Sequence, residues 1–198
     1  MKTKLLHVVL ILTLLLSCFS QAQQTELPNI VIVFADDLGY GDVSYINQDS
    51  KIQTPNIDNV AKQGITLTDA HTASAVCTPS RYGLLTGRYA WRTKLKSSVL
   101  WGGYSTPLIS PERLTIASML KQKGYSTACI GKWHLGLDWA LKENETPING
   151  KKEETFGGDK INFTKPVKSG PTELGFDYFF GHSASLDMLL MYLSKTIN

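Results

Sequence analysis

Apolar positions along the chain fall into runs of two kinds. Residues 29–35 read NIVIVFA, a continuous β-branched and aromatic stretch that suits a strand covered on both faces. The run breaks into DDLGYGD (36–42), an acidic loop with two glycines. The spacing then changes: Thr54-Pro55-Asn56 opens a helix, Pro55 being suited to its first turn, and Gly64 closes it. The pattern further predicts a second strand over 65–72, a helix over 79–86, an amphipathic helix over 114–123 stopped by Gly124, and a third strand over 125–130. The third strand runs into GKWHLG (131–136). Alternating strands and helices predict an α/β fold, a mainly parallel sheet sandwiched by helices. Ligands gather at the carboxyl ends of strands in such sheets. Asp36-Asp37 and Lys132 with His134 each follow a strand directly, and are predicted to meet at one sheet edge. From 141 to 171 the chain turns polar and rich in Gly and Lys, which reads as a long surface excursion. No internal repeat interrupts this order.

The N-terminus adds a leader. MKTKLLHVVLILTLLLSCFSQAQQ places two lysines before an apolar run (8–16) and small residues at 20–22. That is the layout of a secretory signal, cleaved after Ala22, with a run too short to span a membrane. A secreted or periplasmic protein is expected, with 23–188 as its folded part. Leu15-Leu16-Ser17-Cys18 opens a second route, lipid anchoring through Cys18. Removing the leader takes away Lys2 and Lys4 but no acid, moving the formal net charge from +3 to +1. A near-neutral chain offers no electrostatic case for nucleic acid or an anionic membrane surface. With 42% apolar and 19% charged residues, the remainder can build an ordinary core.

Chemistry-bearing residues are few. Cys77 and Cys129 are the cysteines left beyond the leader. Cys129, in STACIG, reads as a small core residue, so Cys77 has no obvious disulfide partner. Asp36 and Asp37 read either as a solvated turn or as two hard oxygen ligands, which suit Ca²⁺ or Mg²⁺. Four scattered histidines give no zinc spacing. Lys132 and His134 are either solvent-facing or an anion partner and a proton carrier. Arg81, four residues after Cys77 and early in a helix, suits an anion or oxyanion.

Taken together, these stretches resemble one family. AVCTPSRYGLLTG (75–87) resembles the first sulfatase signature at every constrained position, and GYSTACIGKWH (124–134) resembles the second. PNIVIVFADDLGYGD (28–42) is similar to the first strand and metal loop of the family, and GFDYFFG (175–181) is a further family-like stretch. The resemblance implies an arylsulfatase-like, alkaline-phosphatase-superfamily fold that hydrolyses sulfate esters. It implies that Cys77, in Cys-Thr-Pro-Ser-Arg, is oxidised before folding to Cα-formylglycine by a formylglycine-generating enzyme. It implies Asp36, Asp37 and residue 77 as ligands of Ca²⁺, in preference to Mg²⁺. By the same resemblance, residue 77 is the nucleophile and Arg81 steadies it, while Lys132 holds the sulfate and His134 activates the hydrated aldehyde. The implied substrate is a sulfate ester, by analogy a sulfated glycan. A phosphate or phosphonate monoester hydrolase of the same superfamily, or a catalytically inactive truncated fragment, are the alternatives.

Full-length family members supply further metal ligands, a second lysine and a second histidine downstream. His182 follows GFDYFFG and is left unassigned. Related sulfatases continue from Ser-Leu-Asp-Met into a Pro-Pro-Tyr-Val-like run, whereas this chain reads LDMLLMYLSKTIN from 186. Dropping one base from codons for Pro-Pro-Tyr-Val-Ser-Leu-Glu-Asn yields Leu-Leu-Met-Tyr-Leu-Ser-Lys-Thr. A frame shift after Met188 is therefore expected, making 189–198 a shifted tail on a truncated domain.

Overall fold

The computed structural model describes residues 27–152 and 157–188, together with the backbone of 193–197. The expected leader over 1–22, with Cys18, lies outside the described residues, as do 189–192 of the expected shifted tail. The chain divides into two units, Met1–Ala35 and Asp36–Asn198. In the first unit, residues 27–35 belong to no hydrogen-bonded ladder, and Val31 and Val33 are 83% and 90% exposed. The strand expected over 29–35 is thus corrected. β-Branched residues favour extended backbone, but a strand also needs a ladder, and no described β-ladder or bridge includes this run.

The second unit opens with a tight turn and then helix α1, Pro55–Gln63, with proline in its first turn and Gly64 at its end, as predicted. Asp58 ties the entry down, accepting from Ser44 Oγ at 2.7 Å, Thr54 Oγ1 at 2.7 Å and the Tyr45 amide at 3.0 Å. The strand expected over 65–72 does not form, and Ile65 and Leu67 stay 89% and 72% exposed. The reason is the same as at 29–35: apolar residues without a ladder partner do not make a strand.

Helix α2, Cys77–Thr86, starts two residues earlier than its pattern predicted. It stops at Gly87, whose left-handed backbone (φ 65°) lets its amide bond Gly83 O at 2.8 Å. Gly83 is required for a different reason: a Cβ there would fall 2.4 Å from that of Ala73. Helix α3, Ile116–Lys121, is shorter than the predicted 114–123 because Thr115 caps it, accepting from the Ser118 amide at 3.1 Å. The same Thr115 hydroxyl donates to Leu174 O at 2.6 Å.

Strand β1, Ala128–Lys132, pairs in parallel with β2, Tyr178–His182, and β2 pairs antiparallel with β3, Leu193–Ile197. The sheet order is β1-β2-β3, a parallel pair with an antiparallel strand added. Gly131 and Gly181 face each other in the parallel register. A Cβ on Gly181 would lie 1.8 Å from Gly131 O, so the two family-like glycines permit one close approach of backbones. Asp177 aligns the strand starts by accepting from the Thr127 amide at 2.8 Å and pairing with Lys121 Nζ at 2.6 Å.

The surface excursion expected over 141–171 is corrected as well. Ile148 and Ile161 are buried in the core, Leu141 and Ile161 form a bridge, and the Thr106 amide bonds Ile148 O at 2.8 Å. Polar composition masked two isoleucines that anchor the segment. The core continues through Trp133, Leu135, Leu137 and Trp139, with the Trp133 and Phe179 rings edge to face at 6.4 Å. Among the described residues, no helix is long and apolar enough to cross a membrane.

Candidate active site

Three predicted residues converge at the carboxyl end of β1. Asp36 begins the second unit, Arg81 lies in the second turn of α2, and Lys132 closes β1. Lys132 Nζ donates to Asp36 Oδ2 at 2.6 Å, and Arg81 Nη2 meets Asp36 Oδ1 at 3.2 Å. Arg81 Nη1 donates to the backbone carbonyl of Lys132 at 2.6 Å, so helix and strand are locked together through the site. The Lys132 side chain is 8% exposed and that of Asp36 37%, a cation pair sunk beneath a wetter carboxylate. Burial alone raises the Asp36 pKa, but hydrogen bonds and charge from Lys132 and Arg81 hold its carboxyl below the ordinary range.

His134 sits just past β1 in a left-handed conformation (φ 55°), which turns the backbone and sinks the ring to 1% exposure. Its Nε2 lies 2.8 Å from Leu100 O. A carbonyl can only accept, so Nε2 carries the proton and Nδ1 holds the lone pair. That Nδ1 is buried with no hydrogen-bond partner among the described residues. Burial pushes the imidazole pKa down to about 4, aided by the charges of Lys132 and Arg81. The ring is therefore neutral at physiological pH.

Cys77 stands half-buried at the first position of α2. Its neighbour Thr78 is fully buried and accepts the Leu100 amide at 3.2 Å. Leu100 thus joins the residue next to Cys77 to His134, one through its amide and the other through its carbonyl. Asp37 lies beside Asp36 with φ 59°. Cys129 packs against the core with its thiol pushed up to about 11 by burial, as a structural cysteine should be, and both cysteines are free.

Spacing gave no warning of Ser185. Its hydroxyl accepts from Lys132 Nζ at 3.0 Å, giving the ammonium a second partner beside Asp36. The one available signal was its position just after GFDYFFG, because β2 runs parallel to β1 and the two strand ends must coincide. His182 is the register partner of Lys132, and its Nδ1 bonds Ala184 O.

The carboxyl end of β1 thus carries a lysine and an arginine paired with one carboxylate, with a neutral histidine two residues further along the chain. The Sulfatase family model matches residues 28–197, and this chain belongs to the sulfatase family, as an N-terminal portion of the family fold. It is 40% identical over 165 residues to the N-acetylgalactosamine-6-O-sulfatase of Bacteroides thetaiotaomicron, covering 83% of this chain and 28% of that protein. It is 36% identical over 182 residues to human arylsulfatase D, covering 89% of this chain and 27% of the relative. A solved Bacteroides thetaiotaomicron structure, described under metabolism of multiple glycosaminoglycans, aligns with TM-score 0.69 at 35% identity, over 88% of this chain and 32% of the other. The Ps i-CgsB structure in complex with k-i-k-neocarrahexaose aligns with TM-score 0.56 at 31% identity, over 80% of this chain and 28% of the other. The chain thus spans about a quarter to a third of the length of these relatives.

Proposed function

We propose that this chain contributes the first half of a sulfate-ester hydrolase centre, with residue 77 as nucleophile after conversion to Cα-formylglycine by a formylglycine-generating enzyme. The observation that carries the reading is the joint engagement of Lys132 and Arg81 by one carboxylate. Two largely shielded cations meeting two oxygens of one anion is the arrangement a sulfate ester requires. As an aldehyde hydrate, residue 77 supplies a hydroxyl nucleophile for sulfur. Lys132 binds a sulfate oxygen and lowers the cost of charge developing there. Arg81 orients the start of α2, because its second nitrogen is fixed on the Lys132 carbonyl. Neutral His134, its Nε2–H committed to Leu100, offers Nδ1 to accept a proton from a hydroxyl at residue 77.

Calcium is the ion this reading assigns to Asp36, Asp37 and residue 77. The described residues do not complete such a site: among them no group of three or more His, Cys, Asp or Glu converges, and Asp36 is already neutralised by two cations. Calcium takes six to eight oxygens, roughly, so these carboxylates bind it only with further donors.

The reading extends to an exported protein acting on a sulfated glycan. The relative named N-acetylgalactosamine-6-O-sulfatase and the structure solved in complex with k-i-k-neocarrahexaose support that class. The test is a side-by-side panel of aryl sulfate, aryl phosphate and aryl phosphonate esters, with the protein produced alongside the modifying enzyme. Sulfate release that exceeds the other two, and is lost in Lys132→Ala, is expected. Faster phosphate or phosphonate release assigns the other superfamily chemistry, and no release of any kind assigns an inactive fragment.

A further inference from the structure

One peptide unit links His134 to a part of the chain remote in sequence. Its carbonyl, that of Leu100, accepts from His134 Nε2 at 2.8 Å, and its amide, that of Trp101, donates to Gly150 O at 2.9 Å. Hydrogen bonds joined through one peptide polarise each other, and moving either end tilts the plane between them. The Gly150 end has no slack. Gly150 is buried with a left-handed backbone (φ 79°), and a Cβ there would lie 2.8 Å from both Leu100 Cδ2 and Ser105 Oγ.

The residue before it is the reactive one. Asn149 is exposed, and its Nδ2 donates to Pro147 O at 3.5 Å. A following glycine lets its backbone nitrogen approach the asparagine carboxamide, because no side chain stands in the way. The Gly150 amide donates no hydrogen bond among the described residues, so its attack breaks none there.

We infer that Asn149–Gly150 is a self-modification site, at which deamidation loosens the hydrogen bond that fixes His134. The Gly150 nitrogen bonds Asn149 Cγ and gives its proton to solvent, while the carboxamide nitrogen leaves as ammonia. Water then adds to one carbonyl of the succinimide, and the ring opens to aspartate or isoaspartate. Isoaspartate lengthens the main chain by one carbon just before Gly150. The packed glycine has no room for that carbon, so its carbonyl withdraws from the Trp101 amide and the shared peptide turns away from the imidazole. The site stands whether or not the sulfate-ester reading holds.

Incubation of the full chain in warm, mildly alkaline buffer tests both halves. Trypsin releases 143–151, ENETPINGK, in which Asn144 serves as the internal comparison. Asn149 is expected to turn from amide to acid while Asn144 stays intact, and an isoaspartyl methyltransferase should label the product. In the aged protein the His134 Nε2–H, followed by NMR, should exchange with solvent roughly tenfold faster, as for one lost hydrogen bond. Asn149→Gln should keep its mass and its signal through the same incubation. Freshly made Asn149→Asp, which adds the charge without lengthening the chain, should keep the signal too. No conversion at Asn149 ahead of Asn144 overturns the site. Conversion that leaves the His134 signal unchanged overturns the coupling, and so does a signal lost equally in fresh Asn149→Asp.

Discussion

Lowering the pH should unfold this protein by way of one histidine. His134 is buried, with its pKa pushed from 6.5 down to about 4. Between those values the unfolded chain binds a proton that the folded chain refuses, so stability falls as pH falls. Each pKa unit is worth about 1.4 kcal/mol. From pH 7 to pH 4.5 the loss from this group alone integrates to between about 2 and 3 kcal/mol. That is a large part of a typical domain stability of roughly 5–15 kcal/mol. The Asp36 carboxyl is depressed as well, and its contribution is present above the ordinary Asp pKa of 3.8 and lost only as pH falls through the folded value. The histidine window is therefore separate and lies above it. Denaturant midpoints measured from pH 7 to 4.5 provide the assay, with His134→Gln for comparison. Glutamine can still donate to Leu100 O but does not titrate, and any strain it adds at φ 55° is independent of pH. The unaltered protein should lose about 2 kcal/mol more than the variant across this range. Parallel losses in the two proteins would refute the buried, neutral imidazole.

The packing and charge contacts set four other outcomes. Gly181→Ala drives a Cβ to 1.8 Å from Gly131 O, so the β1–β2 pair should part, costing about 3 kcal/mol or more in a denaturant titration. Thr115→Ala removes the α3 cap and the bond to Leu174 O, and should cost about 1–2 kcal/mol in the same assay. Asp36→Asn frees Lys132 and Arg81 from their carboxylate, so inorganic sulfate should bind up to about fivefold more tightly by calorimetry, while ester hydrolysis is lost. Calcium titrated into the unaltered chain should bind weakly, and Asp37→Ala should weaken it further, since few oxygens set a low affinity.

Local chemistry was more legible in the sequence than the sheet. Pro55 and Gly64 bracket α1, and the Cys77 to Gly87 stretch marks α2, because caps and left-handed glycines act within a few residues. β1 was also visible, though shifted toward Lys132. The runs at 29–35 and 65–72 misled, since a strand is defined by a neighbour that the sequence does not display. Ile148 and Ile161 were hidden among lysines and glycines; the Leu141–Ile161 bridge and the Thr106–Ile148 backbone bond draw them into the core. In the site, Asp36-Asp37 and Lys132 with His134 were expected at one sheet edge; the structure pairs Lys132 and Arg81 with Asp36, although no strand precedes Asp36. Ser185 was not foreseen, because its partnership with Lys132 depends on strand register rather than on any motif. The exchange through Leu100, which fixes the tautomer of His134, is a backbone contact that no side-chain pattern encodes.

The central claim is that Cys77 is the precursor of the nucleophile. Its most direct test is the mass of the tryptic peptide 63–81, from protein made together with a formylglycine-generating enzyme. The account predicts an aldehyde at residue 77, trapped as its hydrazone, and its disappearance in Pro79→Ala, and in Arg81→Ala as read on the longer peptide 63–88. An intact cysteine thiol in that peptide, with the modifying enzyme active on a control substrate, would contradict it.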